Sequence, residues 1–403
     1  MTISVNLKHS RVKIPSKEVT RKLKKIASMP LPSFASHIVD HKAIAIAKRK
    51  YGKYKNYIII GNGGSMNNFL AFYTYILQFR TKKNVYMVTT MEPDYLNEIK
   101  KLCNKKDTLV VAISKSGTNV GQLEATFAFE GYKKLYITGT ENSVLNELVK
   151  IENTGLLQHP NDIGGRYTGR TSCALGPIAL LGVDIKAIDN GAKAMYNRCN
   201  PDVPLAKNPA LKIAVALYQL DKKGFTEIFS PFYSMRLFGF LPLLIQLIHE
   251  SSGKKGRGQT IFGDKAPESQ HHTNQRFFGG KKNVCGLFFN VKNQDDSRSK
   301  IKVNPKTRNL KLRDGKLGDL NSLNLADGLD YEFQGTFRHA VKAKKPVISV
   351  TVDKVSLKSC GEILALLQYV GVYSALLRDV NPFNQPEVEA SKSLTFSMIK
   401  RKK

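Results

Sequence analysis

The sequence predicts an α/β protein made of two units, each a mainly parallel sheet with helices on both faces. Short β-branched runs alternate with stretches of helical spacing, the pattern left by parallel strands joined through crossover helices. The alternation runs once through the first half of the chain and again through the second. At 403 residues the chain is long for a single core, so two units of ordinary size are expected. With 42% hydrophobic and 9% aromatic residues it is neither a disordered tail nor a disulfide-stapled miniprotein.

Residues 1–28 are Lys-rich with Glu18 as the one acid, and they lack the apolar segment of a secretory signal. The composition also suits an organellar transit peptide; a basic helical arm over 1–40 is the expectation, because basic residues run through the whole chain. Within a first unit over 41–200, the runs at 57–60, 85–88, 108–113 and 135–138 predict strands, and 66–79 and 123–129 predict helices. Prolines around 201–209 mark the joint. The second unit, 201–380, begins near Leu211 and has strand patterns at 226–229, around 284–291 and around 347–352. Long helices are expected at 235–250 and 360–377. Residues 293–330 turn polar and irregular, as a surface excursion with a short hairpin would. The longest apolar stretch is expected at 237–248, interrupted by Gly239, Pro242 and Gln246 and shorter than the roughly 20 residues of a membrane span, so the chain is expected to be soluble.

Cys103, Cys173, Cys199, Cys285 and Cys360 are scattered with no CxxC pair, which fits a reducing, cytoplasmic compartment. The formal charge is +31, from 63 basic and 32 acidic residues, and lysines outnumber arginines 47 to 16. Such a chain attracts anions. Nucleic acid is expected to bind at most non-specifically, because no zinc-finger spacing, aromatic RNA-binding strand or basic-zipper pattern is present.

Two turns suit a phosphate. Gly61-Asn62-Gly63-Gly64-Ser65 follows the first predicted strand, where glycines admit close backbone approach and a helix start offers unpaired N–H groups. Alone this is as often a tight connection. Ser114-Lys115-Ser116-Gly117-Thr118-Asn119 follows the third, and its alternating hydroxyls exceed what a helix N-cap needs. Neither GxGxxG nor GxxxxGK[ST] occurs, so dinucleotide and P-loop readings fall away. A phosphorylated small ligand remains.

These two turns together resemble the sugar isomerase (SIS) fold. Four further segments in order are similar to the glucose-6-phosphate isomerase family: Gly164-Gly165-Arg166-Tyr167-Thr168, His249-Glu250-Ser251-Ser252-Gly253-Lys254, Gln270-His271-His272-Thr273-Asn274-Gln275, and 383–392 ending in Ser391-Lys392. The resemblance runs from about residue 55 to the end. It implies two SIS-type doubly wound domains plus a C-terminal helical segment over 381–403 carrying Lys392. It implies a ketol-isomerase interconverting glucose 6-phosphate and fructose 6-phosphate through a cis-enediol, in glycolysis and gluconeogenesis, without metal or other cofactor.

The implied roles fit the chemistry. Moving a proton between adjacent carbons needs one carboxylate base, and Glu250 closes an apolar helix where partial burial would raise its basicity. A Gly-Gly-Arg turn lets Arg166 approach and stabilise an enediolate. Opening the sugar ring needs a proton carrier near neutral pH; the family's histidine and C-terminal lysine align with His271 and Lys392, although adjacent His272 leaves the choice of histidine open. Gly63, Gly64, Ser65, Ser114, Lys115, Ser116, Thr118, Asn119 and Gln385 are implied to bind substrate. A homodimer is also implied, with His271 supplied across the interface, and no membrane partner. Asn119 stands where the family has threonine, Pro386-Glu387 replace Trp-Gly, Arg170 is an unexpected charge, and the chain is short for the family. A dual-specificity phosphoglucose/phosphomannose isomerase and a non-catalytic sugar-phosphate-binding regulator on the same fold are the alternatives. Joint presence of Glu250, Arg166, His271 and Lys392 argues against the regulator.

Overall fold

The computed structural model describes residues 2–13, 16–78, 80–139, 143–295 and 299–401. Strand β1 (Ile3–Asn6) opens the chain. Next come β2 (Asn56–Ile60), β3 (Asn84–Val88), β4 (Thr108–Ser114), β5 (Lys133–Gly139) and β6 (Gly155–His159), which form a wholly parallel sheet in the order β3-β2-β4-β5-β6. Its central strands are apolar on both faces because both faces are covered. Tyr57, Ile59, Leu109, Val111 and Ile113 pack into the main core, while Ile58, Ile60 and Val110 join Leu96, Ile99 and Phe129 on the opposite side.

The second sheet uses β7 (Glu227–Tyr233), β8 (Thr260–Lys265) and β9 (Val284–Val291). A hairpin of β10 (Lys311–Leu312) and β11 (Gly315–Lys316) follows, and β12 (Val347–Val352) completes the sheet in the order β1-β12-β9-β7-β8. Only β1 runs antiparallel, with Ile3 opposite Val352. Again alternate residues divide between faces: Ile228, Phe232, Leu287 and Phe289 enter the main core, and Phe229, Tyr233 and Phe288 the opposite one.

Several expectations change. The basic arm is helical over the single turn Ser33–Ser36 and over Lys17–Ala27, where Val19, Lys22 and Ile26 are buried. Before that helix β1 joins the second sheet, so 1–40 is part of the fold rather than an appendage. The helix expected at 66–79 is regular only over Gly64–Phe72 and then widens through a π turn at Tyr73–Leu77; residue 79 lies outside the described residues, as do 402 and 403. The helix expected at 235–250 breaks into Met235–Phe238 and Leu241–Ser252. Pro242 has no N–H to donate to the Phe238 carbonyl, which ends the first piece, and at the break a Cβ on Gly239 would meet the Thr74 side chain at 2.5 Å, so the two units approach closely there. The irregular excursion holds the expected hairpin but ends early, in a helix over Leu325–Lys342.

The most apolar long helix is Leu357–Leu377, not the 237–248 stretch. By length and composition it could cross a bilayer, yet 94% of its apolar window is buried here. It packs against helices Ile185–Cys199, Pro209–Lys222 and Leu241–Ser252, and one continuous core holds side chains from both sheets.

Candidate active site

Although β3 lies between β2 and β4 in sequence, β2 and β4 are neighbours, so the winding direction reverses between them. Open sheets bind ligands outside the carboxyl ends of strands at such a point. Both phosphate-suited turns emerge there. Gly63 has φ +56°, a conformation costly for any side chain, and starts the helix Gly64–Phe72 without a side-chain cap, leaving its first amides available. A Cβ on Gly64 would meet the Gly165 carbonyl carbon at 2.1 Å, so this glycine is required by the adjoining Gly-Gly-Arg turn. Gly165 itself has open space on its Cβ side.

These loops surround a cavity of about 830 Å³. Gly64, Ser65, Ser114, Lys115, Ser116, Thr118 and Asn119 line one side, and Gln385 and Lys392 the other, with Val120, Leu123, Val144 and Phe396 forming an apolar wall. Lys115 and Lys392 are the charged groups among these lining residues, and no carboxylate joins them. Burial lowers the Lys115 pKa, an effect opposed by Asp162. The exposed Ser116 and Thr118 hydroxyls are 3.1 Å apart. Asn119 Oδ1 accepts from the Gln122 amide at 3.2 Å, so it serves as the N-cap of helix Val120–Phe127 while its side of the loop faces the cavity. Gly63 shapes the turn without lining the cavity.

Glu250, near the end of helix Leu241–Ser252, is brought from the second unit behind the cavity wall, where Arg166 bonds both it and the lining residue Gln385. Its Oε2 accepts from Arg166 Nη1 at 2.9 Å, and its Oε1 accepts from Gln246 Nε2 at 2.7 Å. The side chain is 26% exposed. Its setting is therefore polar and cationic rather than the apolar pocket expected from the helix sequence. One N–H on each oxygen leaves two of the roughly four lone-pair sites of a carboxylate open.

Arg166 is 1% exposed, and its guanidinium is fully engaged. Nε donates to Ser251 Oγ, Nη1 to Glu250 and to Gln385 Oε1 at 3.0 Å, and Nη2 to the carbonyls of Pro382 and Asn384. Every donor of the fork has an acceptor. Arg166 thus ties the base helix to the C-terminal segment, and its influence on a ligand is that of a fixed positive charge. Tyr167, stacked on Phe34, adds bonds to Ser251 and to the Pro382 carbonyl.

Lys254 donates to the carbonyls of Ser251 and Asn381, and burial pulls its pKa down to about 8, with Arg166 adding to the effect and Glu250 opposing it. Arg170, the unexpected charge, is buried in an ion pair with Asp189 at 2.5 Å, and Asp189 also binds His41 and Lys193. It holds the first unit together and takes no part in the cavity.

His271 does not line the cavity. It ends a short 3₁₀ turn, Glu268–His271, on the exposed surface of the second unit. His272 is also exposed, with Nδ1 at 2.6 Å from Thr273 Oγ1 and Nε2 at 3.5 Å from Asp264. Within one chain, therefore, Gln385 and Lys392 line the cavity, Glu250 and Arg166 sit behind its wall and reach it through the Arg166–Gln385 bond, and His271 stays apart. Gln246 and Ser251 were missed by motif reading. Gln246 had a signal, its i, i+4 spacing to Glu250 on one helical face.

Comparisons with known proteins bear on the family and the fold. The model of a family described as phosphoglucose isomerase matches residues 46–403. A probable glucose-6-phosphate isomerase of Methanococcus maripaludis is 28% identical over 363 residues, covering 87% of this chain and 80% of that protein. A glucose-6-phosphate isomerase of Methanocaldococcus jannaschii is 28% identical over 361 residues, covering 86% and 85%. Among solved structures, a hypothetical protein of Thermus thermophilus superposes with a TM-score of 0.84 at 20% identity, covering 94% of each chain. A glucose-6-phosphate isomerase of Chlamydia trachomatis gives 0.68 at 18% identity, covering 96% of this chain and 76% of that one.

Proposed function

The chain belongs to the phosphoglucose isomerase family, and from that membership we propose that it is an intramolecular aldose–ketose isomerase interconverting glucose 6-phosphate and fructose 6-phosphate in glycolysis and gluconeogenesis. The observation that carries the reading is the Glu250 carboxylate, held by Arg166 and Gln246 and tied through Arg166 to Gln385, which lines a cavity whose lining charges are two lysines. Glu250 takes the proton from C2 of the open-chain aldose. The C–H electron pair becomes the C1–C2 double bond, and the carbonyl pair moves to O1, giving a cis-enediolate. A proton passes from O2 to O1, and return of the carbon proton to C1, with the O2 electron pair forming the C2 carbonyl, gives the ketose. Arg166 stabilises the negative charge that develops between these steps. The serine-rich turn and Lys115 hold the phosphate, supported by their hydroxyls, the open amides of helix Gly64–Phe72 and the absence of acids among the described lining residues.

Ring opening is assigned to His271 with Lys392. Because His271 faces outward on its own chain, we infer a homodimer in which each copy lends this histidine to the other's cavity. The basic surface steers anionic substrate rather than serving a dedicated nucleic-acid role. Five buried, unpaired thiols support a reducing, cytoplasmic setting.

The test is Glu250→Gln, which keeps size and hydrogen bonding but cannot accept a proton. Turnover of glucose 6-phosphate, followed as fructose 6-phosphate formed, should fall by at least about 10²-fold while ligand binding survives. Near-normal turnover removes Glu250 from the mechanism.

A further inference from the structure

Asn67, in the second turn of the helix Gly64–Phe72, is outside every motif considered above. Its Nδ2 donates to Gln246 Oε1 at 2.9 Å, and Gln246 Nε2 in turn donates to Glu250 Oε1 at 2.7 Å. Gln246 also lies against the ligand turn, since a Cβ on Gly63 would stand 3.4 Å from its Nε2. A side-chain amide has two faces of opposite polarity, and a half-turn would set its carbonyl against the carboxylate. That arrangement puts acceptor against acceptor. The Asn67 N–H occupies the Gln246 carbonyl and so holds the amide with its N–H toward the base. The relay crosses between units: Asn67 comes from the first, Gln246 and Glu250 from the second.

We propose that Asn67 is a positioning residue for the isomerisation, acting on Glu250 through the orientation of Gln246. This rests on the reading of Glu250 as the base. Asn67 touches no reacting atom. The Gln246 amide that it orients occupies one lone pair of Glu250 Oε1 and leaves that oxygen's other pair free to accept the proton.

The experiment is a double-mutant cycle on the full-length enzyme, with Asn67→Ala, Gln246→Ala and the double variant, and with Glu250→Gln as a separate arm. Asn67→Ala should lower kcat about 3- to 10-fold, the effect of one hydrogen bond, and leave KM within about twofold. In the Gln246→Ala background it should cause no further loss. Asn67→Asp is nearly isosteric but turns the donor into an acceptor facing the Gln246 carbonyl. The relay therefore requires Asp to be worse than Ala, whereas a packing role requires it to be milder. If Asn67→Ala does not fold, the same cycle with Asn67→Asp decides. Equal losses in both backgrounds, an unchanged kcat, or a loss confined to KM overturns the proposal. An active Glu250→Gln variant overturns the base assignment instead, so the two failures are distinguishable.

Discussion

Burial decides what the charged and titratable side chains of this protein do, and the case with the clearest consequence is His159. It closes β6 with no exposed surface; its Nδ1 lies 2.6 Å from the Pro160 carbonyl, and its Nε2 is buried without a partner among the described atoms. Burial pushes its pKa down to about 4, with the Pro160 carbonyl opposing the shift and Lys115 and His37 adding to it. The folded value lies below the ordinary 6.5, so between these values the unfolded chain binds the proton and the folded one does not. Stability should therefore fall as pH drops below about 6.5 and this loss should level off near 4, roughly 3 to 4 kcal/mol in all. Denaturant unfolding at pH 7 and pH 5 checks it: His159→Asn, which keeps a donor for Pro160 but does not titrate, should lose less stability across that interval than the parent. Equal losses would assign the acid sensitivity to other groups. Nothing in Leu157-Gln158-His159-Pro160 announces this, because a buried histidine is defined by what packs over it.

At the scale of elements, sequence pattern was informative where an apolar run was uninterrupted, as in β3 even at a sheet edge. The predicted strands at 57–60, 85–88, 108–113 and 135–138 fall inside β2, β3, β4 and β5, and 284–291 and 347–352 coincide with β9 and β12. Shorter or mixed segments escaped. Gly155–His159 and Thr260–Lys265 are edge strands with polar positions, and β1 is four residues long. The C-terminal helix Glu389–Arg401 was expected, and it delivers Lys392, Ser393, Thr395 and Phe396 to the cavity wall. Leu394, Phe396, Met398 and Ile399 remain exposed, so the helix adds little to the core. Deleting 389–403 should consequently lower kcat/KM by at least about tenfold through loss of Lys392 and the cavity wall, while the melting temperature moves by only a few degrees. A collapse in melting temperature would mean that the helix is structural after all.

At the scale of the whole molecule, the site requires both units and, by the proposal above, a second copy. Loops from the first unit form the phosphate end and the second supplies Glu250, while Arg166 bonds across to Ser251, Glu250 and the 382–385 segment. If His271 comes from the other chain, two inactive variants should complement. Dissociating and reassociating a mixture of Glu250→Gln and His271→Ala gives hybrid dimers in which one site has both groups intact. Random pairing restores about a quarter of the sites. Activity above that of either variant alone supports the shared site. Persistent inactivity in hybrids verified by mass means that His271 acts within its own chain or not at all, and the same experiment with His272→Ala identifies which histidine enters.

By itself the sequence determined what depends on neighbours along the chain: the α/β class, the parallel runs and the two phosphate-suited turns. Local periodicity and turn chemistry suffice for the class, the strands and the turns, because each is set by a few consecutive residues, whereas Glu250, Arg166 and Lys392 were singled out by the family resemblance. Tertiary structure decided which of them meet. Only the crossing order β3-β2-β4 brings Ser65 and Ser114 to one cavity, and only helix packing sets Asn67 and Gln246 behind Glu250. The same packing commits every Arg166 donor to protein acceptors and leaves His271 on the outside. Such pairings join residues as far apart as 166 and 385, and no rule of spacing along a chain encodes a hydrogen bond made by folding across that distance.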